Sequence, residues 1–205
     1  MKRKRRSFAL LILIFLCVAS TFFTLVRFRG SQVIKISKEA MNIIPCEDIA
    51  LFRQDDTRWA EEKLGSSAYS MKQSGCLVTC IASALSMESE TVTPESLNVY
   101  FSSGGVYDSE GNLQWGNLRQ LDGGNTFDVE VYNTISEEIL RDCLEQGKFP
   151  IVRVRMRGIG NIHYVLVVKL EDGKYFCMDP LANELQPLSH YGNRIYAIRY
   201  VSIKN

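Results

Sequence analysis

Within residues 48–205 of this chain, helix-forming segments come first and strand-forming segments dominate the remainder. Apolar residues recur at positions 77, 81, 84 and 85, the spacing of one helix face, whereas residues 164–168 form a short apolar run typical of a buried strand. These patterns predict an α+β domain in which helices pack on an antiparallel sheet. The predicted elements are helices over 57–64, 76–87, 94–101, 114–121 and 136–146, and strands over 127–132, 149–156, 163–170, 174–179 and 194–202.

A cysteine stands at the predicted start of the second of these helices. Gly75 breaks the preceding segment, Ser74 is a plausible cap, and Cys76 lies in the first turn. The positive end of a helix dipole and the unpaired N–H groups of a first turn both favour a thiolate over a thiol. Cys76 is therefore a candidate nucleophile. The alternative is a small buried apolar residue.

An imidazole and a carboxylate flank a predicted hairpin later in the chain. His163 begins one strand, and Asp179 ends the return strand that follows the Asp172-Gly173 turn. Ideal pairing across this turn does not set His163 opposite Asp179, so strand twist, a bulge or a shifted register is needed to bring them together. The alternatives are a structural histidine at a strand end and an Asp-Pro turn. His190, the other histidine of the chain, lies among polar loop residues and is predicted to be a surface residue.

These three side chains suit nucleophilic acyl transfer. A carboxylate on one ring nitrogen fixes the tautomer of a histidine and leaves the other nitrogen to hold a thiolate. The reaction also needs hydrogen-bond donors for the developing oxyanion, and a glutamine amide together with the N–H of the nucleophile can supply them. Gln54, in the polar segment 52–60, is the candidate for this donor, and the alternative is a surface glutamine.

Taken in order, a set of short motifs resembles one bacterial family. The family is that of peptidases similar to the bacteriocin-processing, double-glycine-leader peptidases, within the papain-like superfamily, and the likeness covers roughly residues 48–200. The motifs that carry it are Gln54-Asp55-Asp56-Thr57-Arg58-Trp59, Ser74-Gly75-Cys76, Thr93-Pro94-Glu95, Tyr107, Gly111-Asn112-Leu113-Gln114-Trp115, His163-Tyr164-Val165 and Asp179-Pro180.

The resemblance implies a papain-like fold and a role for each candidate residue. Cys76 is expected to be the nucleophile, His163 the general base and acid, Asp179 the group that orients the histidine, and Gln54 the oxyanion donor. A helical half would carry the thiol, a sheet half would carry the histidine, and the cleft would lie between them, with no cofactor required. One departure puts the substrate preference in doubt: many members follow the nucleophile with Gly and a further small residue or Pro, whereas residues 77–79 here are Leu, Val and Thr.

The N-terminus has the pattern of a membrane signal anchor. Five basic residues at 2–6 precede an uncharged run over 7–26, and twenty helical residues span roughly 30 Å, the thickness of a bilayer core. We therefore predict a cytoplasmic segment 1–6, a single transmembrane helix 7–26, a stalk 27–47 and an extracytoplasmic peptidase domain 48–205. A cleaved signal peptide is the alternative, because Val18-Ala19-Ser20 resembles a weak cleavage site, and the domain would then be secreted.

Charge and cysteine content exclude two classes of partner. Residues 30–205 contain 17 basic and 23 acidic residues, a net charge of −6, so nucleic acid is not expected to bind the exported part. A zinc site is not expected, because Cys76 and Cys80 have no second pair of cysteines at a matching spacing. The disulfide state of Cys46, Cys80, Cys143 and Cys177 stays open at this point.

The sequence thus predicts a membrane-anchored, extracytoplasmic cysteine peptidase that acts on a peptide or protein substrate through a thioester intermediate. Two alternatives remain. One is an amidase or acyltransferase that uses the same residues on cell-wall peptide. The other is a non-catalytic, peptide-binding or adhesive module that keeps the papain-like fold.

Overall fold

The computed structural model describes residues 2–35, 41–88 and 92–204, with side chains from residue 12 onward. The chain divides into two compact units, residues 1–31 and residues 32–205. The first unit consists of helix α1 (Lys2–Arg27), which takes in both the basic residues 2–6 and the uncharged run that follows them. Within the described part of the chain no helix is both long enough and apolar enough to cross a membrane, so the transmembrane helix predicted over 7–26 is not supported.

The second unit is an α+β domain, as predicted. Its described α-helices precede or interrupt the strands, and most begin and end within two residues of the predicted bounds. They are α2 (Met71–Ser74), α3 (Cys76–Ser86), α4 (Pro94–Ser103), α5 (Trp115–Gln120) and α6 (Glu137–Glu145), with short 3-10 turns at Leu121–Gly124, Met156–Gly158 and Leu188–Tyr191.

The sheet of this unit is antiparallel throughout its described strands. The strands are β1 (Gln32–Val33), β2 (Phe127–Val131), β3 (Ile151–Arg155), β4 (Ile162–Glu171), β5 (Lys174–Met178), β6 (Gln186–Pro187), β7 (Arg194–Ile195) and β8 (Ala197–Ile203). Six of them pair in the order β2-β8-β3-β4-β5-β6, and a two-stranded ribbon pairs β1 with β7.

Helix α3 is the centre of the hydrophobic core. It contacts β3, β4 and β8, and every side chain from Val78 to Leu85 is buried. Ile81 and Ala82 are fully inaccessible to solvent, as are Leu166 and Val167 on β4. A helix buried on nearly all sides is held rigidly, and its first residue, Cys76, is therefore fixed relative to the sheet.

Residues assigned by sequence to a stalk lie against the domain in the structure. The side chain of Ile34 is buried, and its backbone N–H donates to the carbonyl of Asn193 over 2.7 Å. Ile43 exchanges two backbone hydrogen bonds with Leu170, of 2.7 and 2.9 Å. The first bond extends the β1–β7 ribbon, and the second pair forms an antiparallel bridge to β4 of the six-stranded sheet. The residues between these two contacts, 36–40, lie outside the described part of the chain.

One predicted helix does not form. Residues 57–61 make a series of turns, and the carbonyls that would continue a helix accept from a later segment: the N–H of Lys72 donates to the carbonyl of Ala60 over 3.0 Å, and that of Met71 donates to the carbonyl of Glu62 over 2.8 Å. Tertiary contacts thus override the local helix propensity. The turns bury the indole of Trp59, which donates to the carbonyl of Arg53 over 2.7 Å.

Candidate active site

The thiol is positioned by a tight junction between two helices. Helix α2 ends at Ser74 and α3 begins at Cys76, so the predicted cap Ser74 belongs to the preceding helix and Gly75 joins the two. A Cβ at Gly75 would lie 2.4 Å from the carbonyl oxygen of Met71, a distance at which the backbone would have to shift. No side chain caps α3, so the N–H of Cys76 is among the unpaired donors of the first turn.

A β-bulge brings the carboxylate to the face of the histidine. In the β4–β5 ladder Lys169 pairs with Phe176, but Val167 pairs with Cys177, so Val168 is the extra residue. Without the bulge Asp179 would come level with Leu166, which projects to the opposite face from His163. With it, Asp179 comes level with Val165, two residues from His163 on the same face. The distance between His163 Nε2 and Asp179 Oδ1 is 2.7 Å.

Both oxygens of Asp179 are fully engaged. Oδ1 accepts from the His163 ring and, over 2.8 Å, from the backbone N–H of Leu181, while Oδ2 accepts from the hydroxyl of Tyr191. Tyr191 is completely buried, and His163 and Asp179 are each 4% exposed. Sequence reasoning missed Tyr191, because it sits in a polar segment twelve residues beyond Asp179 and no local pattern marks it as buried.

The histidine and the thiol line the same cavity. Nε2 faces Asp179, which leaves Nδ1 as the ring nitrogen available to Cys76. Burial lowers the pKa of His163, but the contacts with Asp179 and Cys76 outweigh it and raise that pKa to about 9. Burial opposes ionisation of Asp179, but its contacts with His163, Tyr191 and Leu181 together outweigh burial and lower the pKa of the carboxyl group.

Gln54 is buried beside these groups and does not lie on the surface. It is 3% exposed, its Nε2 donates to the carbonyl of Lys72 over 2.8 Å, and its backbone N–H donates to the carbonyl of Pro180 over 3.0 Å. The second bond ties the Gln54 loop to the residue after Asp179. Nε2 carries two hydrogens, and the bond to Lys72 uses one of them, so one remains for another acceptor.

Two cavities meet at Cys76. The larger, of about 540 Å³, is formed mostly by α3 and the 107–115 segment, and Tyr107, Trp115 and the β4 residue Tyr164 line it. The smaller, of about 330 Å³, contains Gln54 and His163. All four candidate residues are thus brought together, since Asp179 lies directly behind His163. A substrate that crossed Cys76 would extend into both cavities.

The other histidine and the other cysteines of the chain have different surroundings. His190 is exposed, and its ring packs edge-on against Tyr191. All six cysteines are free thiols, and burial raises the pKa of Cys80, Cys143 and Cys177. Among the described residues, no group of histidine, cysteine, aspartate and glutamate side chains is arranged to hold a metal ion.

Comparison with known proteins gave one structural likeness. No protein-family model matches the chain, and no curated protein matches it. Among solved structures, the chain is similar to a crystal structure from Bacillus anthracis described as a candidate C39-like peptidase. The two share 15% sequence identity with a TM-score of 0.49, over 78% of this chain and 97% of that chain.

Proposed function

We propose that this protein is a papain-like cysteine peptidase in which Cys76, His163 and Asp179 form the catalytic triad. The observation that carries the proposal is the His163 ring, which is buried between a carboxylate at 2.7 Å and a thiol at a helix start. A raised histidine pKa supports an imidazolium at neutral pH, and an imidazolium stabilises a neighbouring thiolate. A structural histidine does not need either partner.

The reaction begins with protonated His163 and the thiolate of Cys76. The thiolate attacks the carbonyl carbon of a peptide bond, and a C–S bond forms while negative charge moves to the carbonyl oxygen. Collapse of this intermediate breaks the C–N bond as His163 gives its proton to the leaving nitrogen. The amine product departs, and the acyl half stays on Cys76 as a thioester.

Water completes the cycle. It attacks the thioester carbon as neutral His163 accepts one of its protons, the C–S bond breaks, and the acid product leaves. The thiolate and the imidazolium are thereby restored, and no cofactor takes part. In both steps the free N–H of Gln54 Nε2 and the N–H of Cys76 are the proposed donors to the oxyanion.

Hydrolysis of a peptide library by the full chain tests the proposal. New amino termini should appear with wild-type protein, and pretreatment with iodoacetamide should abolish them, because alkylation removes the nucleophile. A metal chelator should have no effect. If no peptide is cleaved while the protein stays folded, the non-catalytic peptide-binding alternative is favoured. Products joined to an added amine would favour the acyltransferase alternative.

We also propose that the domain acts outside the cytoplasm. The support is the sequence pattern of five cations at 2–6 before an uncharged run, which is typical of segments that direct the following chain across a membrane. Protease added to intact cells should therefore degrade the chain beyond residue 31. Resistance in intact cells, with degradation only after lysis, would place the domain in the cytoplasm.

A further inference from the structure

The hydroxyl of Tyr191 lies inside the core of the domain. The side chain is completely inaccessible to solvent, and the residue ends the short 3-10 turn Leu188–Tyr191, which contacts β5. The hydroxyl donates to Asp179 Oδ2, the oxygen that does not face His163. Burial and this bond to a carboxylate both raise the pKa of Tyr191, so the hydroxyl stays protonated and remains a donor at neutral pH.

A buried carboxylate needs donors on both of its oxygens. Asp179 is 4% exposed, and a buried polar atom left without a hydrogen bond is costly. Oδ1 accepts from His163 and from the N–H of Leu181, so the Tyr191 hydroxyl satisfies the other oxygen. Burial raises the pKa of Asp179, and the bonds from His163, Tyr191 and Leu181 together lower it. Tyr191 therefore favours the ionised carboxylate and opposes its rotation away from the His163 ring.

Other titratable groups near Asp179 do not replace this donor. The thiols of Cys80 and Cys177 are completely buried, and burial raises the pKa of both, so neither carries a charge at neutral pH. Arg53 interacts with the charge of Asp179, but its guanidinium pairs with Asp55 over 2.7 Å. The hydroxyl of Tyr191 is thus a neutral donor placed directly on the carboxylate.

Backbone hydrogen bonds fix the segment that carries Tyr191. Gly192, which caps the turn, has a φ of 72°, in the left-handed region that favours glycine. The N–H of Asn193 donates to the carbonyl of Leu188 over 3.2 Å, and the carbonyl of Asn193 accepts from the N–H of Ile34 over 2.7 Å. From there the chain continues into β7, which pairs with β1. The ring of Tyr191 is therefore held by the fold before any substrate binds.

We propose that Tyr191 is a positioning residue of the triad, whose hydroxyl holds the Asp179 carboxylate ionised and turned toward the His163 ring. This inference rests on the proposed peptidase function. Tyr191 acts through Asp179 and does not contact the substrate, because its side chain is completely buried and it lines neither of the two cavities at Cys76. Loss of the hydroxyl should therefore affect kcat and not KM.

Tyr191→Phe tests this role, because it keeps the ring and removes the hydroxyl. With the full-length protein and a cleaved peptide, kcat should fall roughly 10-fold, the lower end of the range for a hydrogen bond to a charged group, while KM stays within about twofold. The pKa of Asp179, followed by NMR of its carboxyl carbon, should rise, because the ionised form loses a donor. A variant that only destabilised the fold would leave this pKa unchanged in the folded protein.

Tyr175→Phe is the control for the loss of a buried hydroxyl. Tyr175 is also buried, and its hydroxyl donates over 2.6 Å to Glu137 Oε1, a carboxylate outside the candidate site. Both variants lose the same kind of bond, so both should show a cost in stability. Tyr175→Phe should nevertheless keep the wild-type kcat and the wild-type pKa of Asp179.

A double-mutant cycle shows whether Tyr191 acts through Asp179. Asp179→Ala removes the carboxylate, so the added change Tyr191→Phe should then lower kcat by no more than about twofold. If Tyr191→Phe instead lowers kcat by the same factor with and without Asp179, the hydroxyl acts by another route and the positioning role is refuted.

These measurements separate the role of Tyr191 from the peptidase proposal. If the wild type cleaves peptides, and Tyr191→Phe has the wild-type kcat or an unchanged pKa of Asp179, the positioning role is refuted and the peptidase proposal stands. If the wild type cleaves no peptide, the peptidase proposal fails, and the pKa of Asp179 decides by itself whether Tyr191 holds the carboxylate. A higher pKa in Tyr191→Phe than in the wild type and in Tyr175→Phe supports that role, and equal values refute it.

Discussion

Replacement of Cys76 by alanine is expected to lower kcat by roughly 10⁴- to 10⁶-fold, the loss typical of removing a catalytic nucleophile. The fold should persist, because the residue is only partly buried and α3 begins without a side-chain cap. Turnover and the thermal midpoint of unfolding should be measured on the same sample. His163→Ala is expected to be similarly inactive.

His190→Ala is the matched control for the imidazole. Its ring is exposed and only packs against the edge of Tyr191, so the variant should keep activity within about twofold, as surface substitutions usually do. An inactive His190→Ala together with an active His163→Ala would overturn the assignment of the general base.

Replacement of Gln54 by alanine is expected to reduce kcat by about 10²- to 10³-fold, with KM nearly unchanged, because an oxyanion donor acts mainly in the transition state. The variant also loses the bond to the Lys72 carbonyl, which should cost about 1 kcal/mol and lower the unfolding midpoint by roughly 2–4 °C. That small change in stability does not account for a loss of turnover of this size.

Gln120→Ala is the control for the amide, since Gln120 is an exposed glutamine at the end of α5. It should change neither kcat nor the unfolding midpoint. Wild-type turnover in Gln54→Ala would show that the buried amide is structural only, and the oxyanion role would then be withdrawn.

Local patterns in the sequence were sufficient for the elements that hold the thiol and the imidazole. The apolar spacing after Gly75 correctly predicted a helix that begins at Cys76, and the run after His163 correctly predicted a strand. Both patterns depend on residues within one element, and burial of one face determines such periodicities directly. The helices-first order likewise predicted the α+β class.

Features that depend on contacts between distant segments could not be predicted from such local sequence patterns. The bulge at Val168, which turns Asp179 toward His163, was only one of three possibilities that the sequence left open. The buried hydroxyl of Tyr191 and the packing of residues 32–35 on the domain were missed, because neither has a local signature. The helix predicted over 57–64 did not form, because the carbonyls of Ala60 and Glu62 accept from the backbone of the later residues Lys72 and Met71.

The rate at which Cys76 is alkylated, followed as a function of pH and mapped to individual cysteines by mass spectrometry, tests the central claim most directly. The raised pKa of His163, about 9, keeps the imidazolium charged throughout the neutral range, and only above that pH is its charge lost. We therefore expect Cys76 of the wild-type protein to react between pH 6 and 8 far ahead of the buried Cys80, Cys143 and Cys177, and roughly tenfold or more faster than Cys76 of His163→Ala, in which no imidazolium stabilises the thiolate. Equal rates in the wild type and in His163→Ala over this range would contradict the proposed thiolate–imidazolium pair.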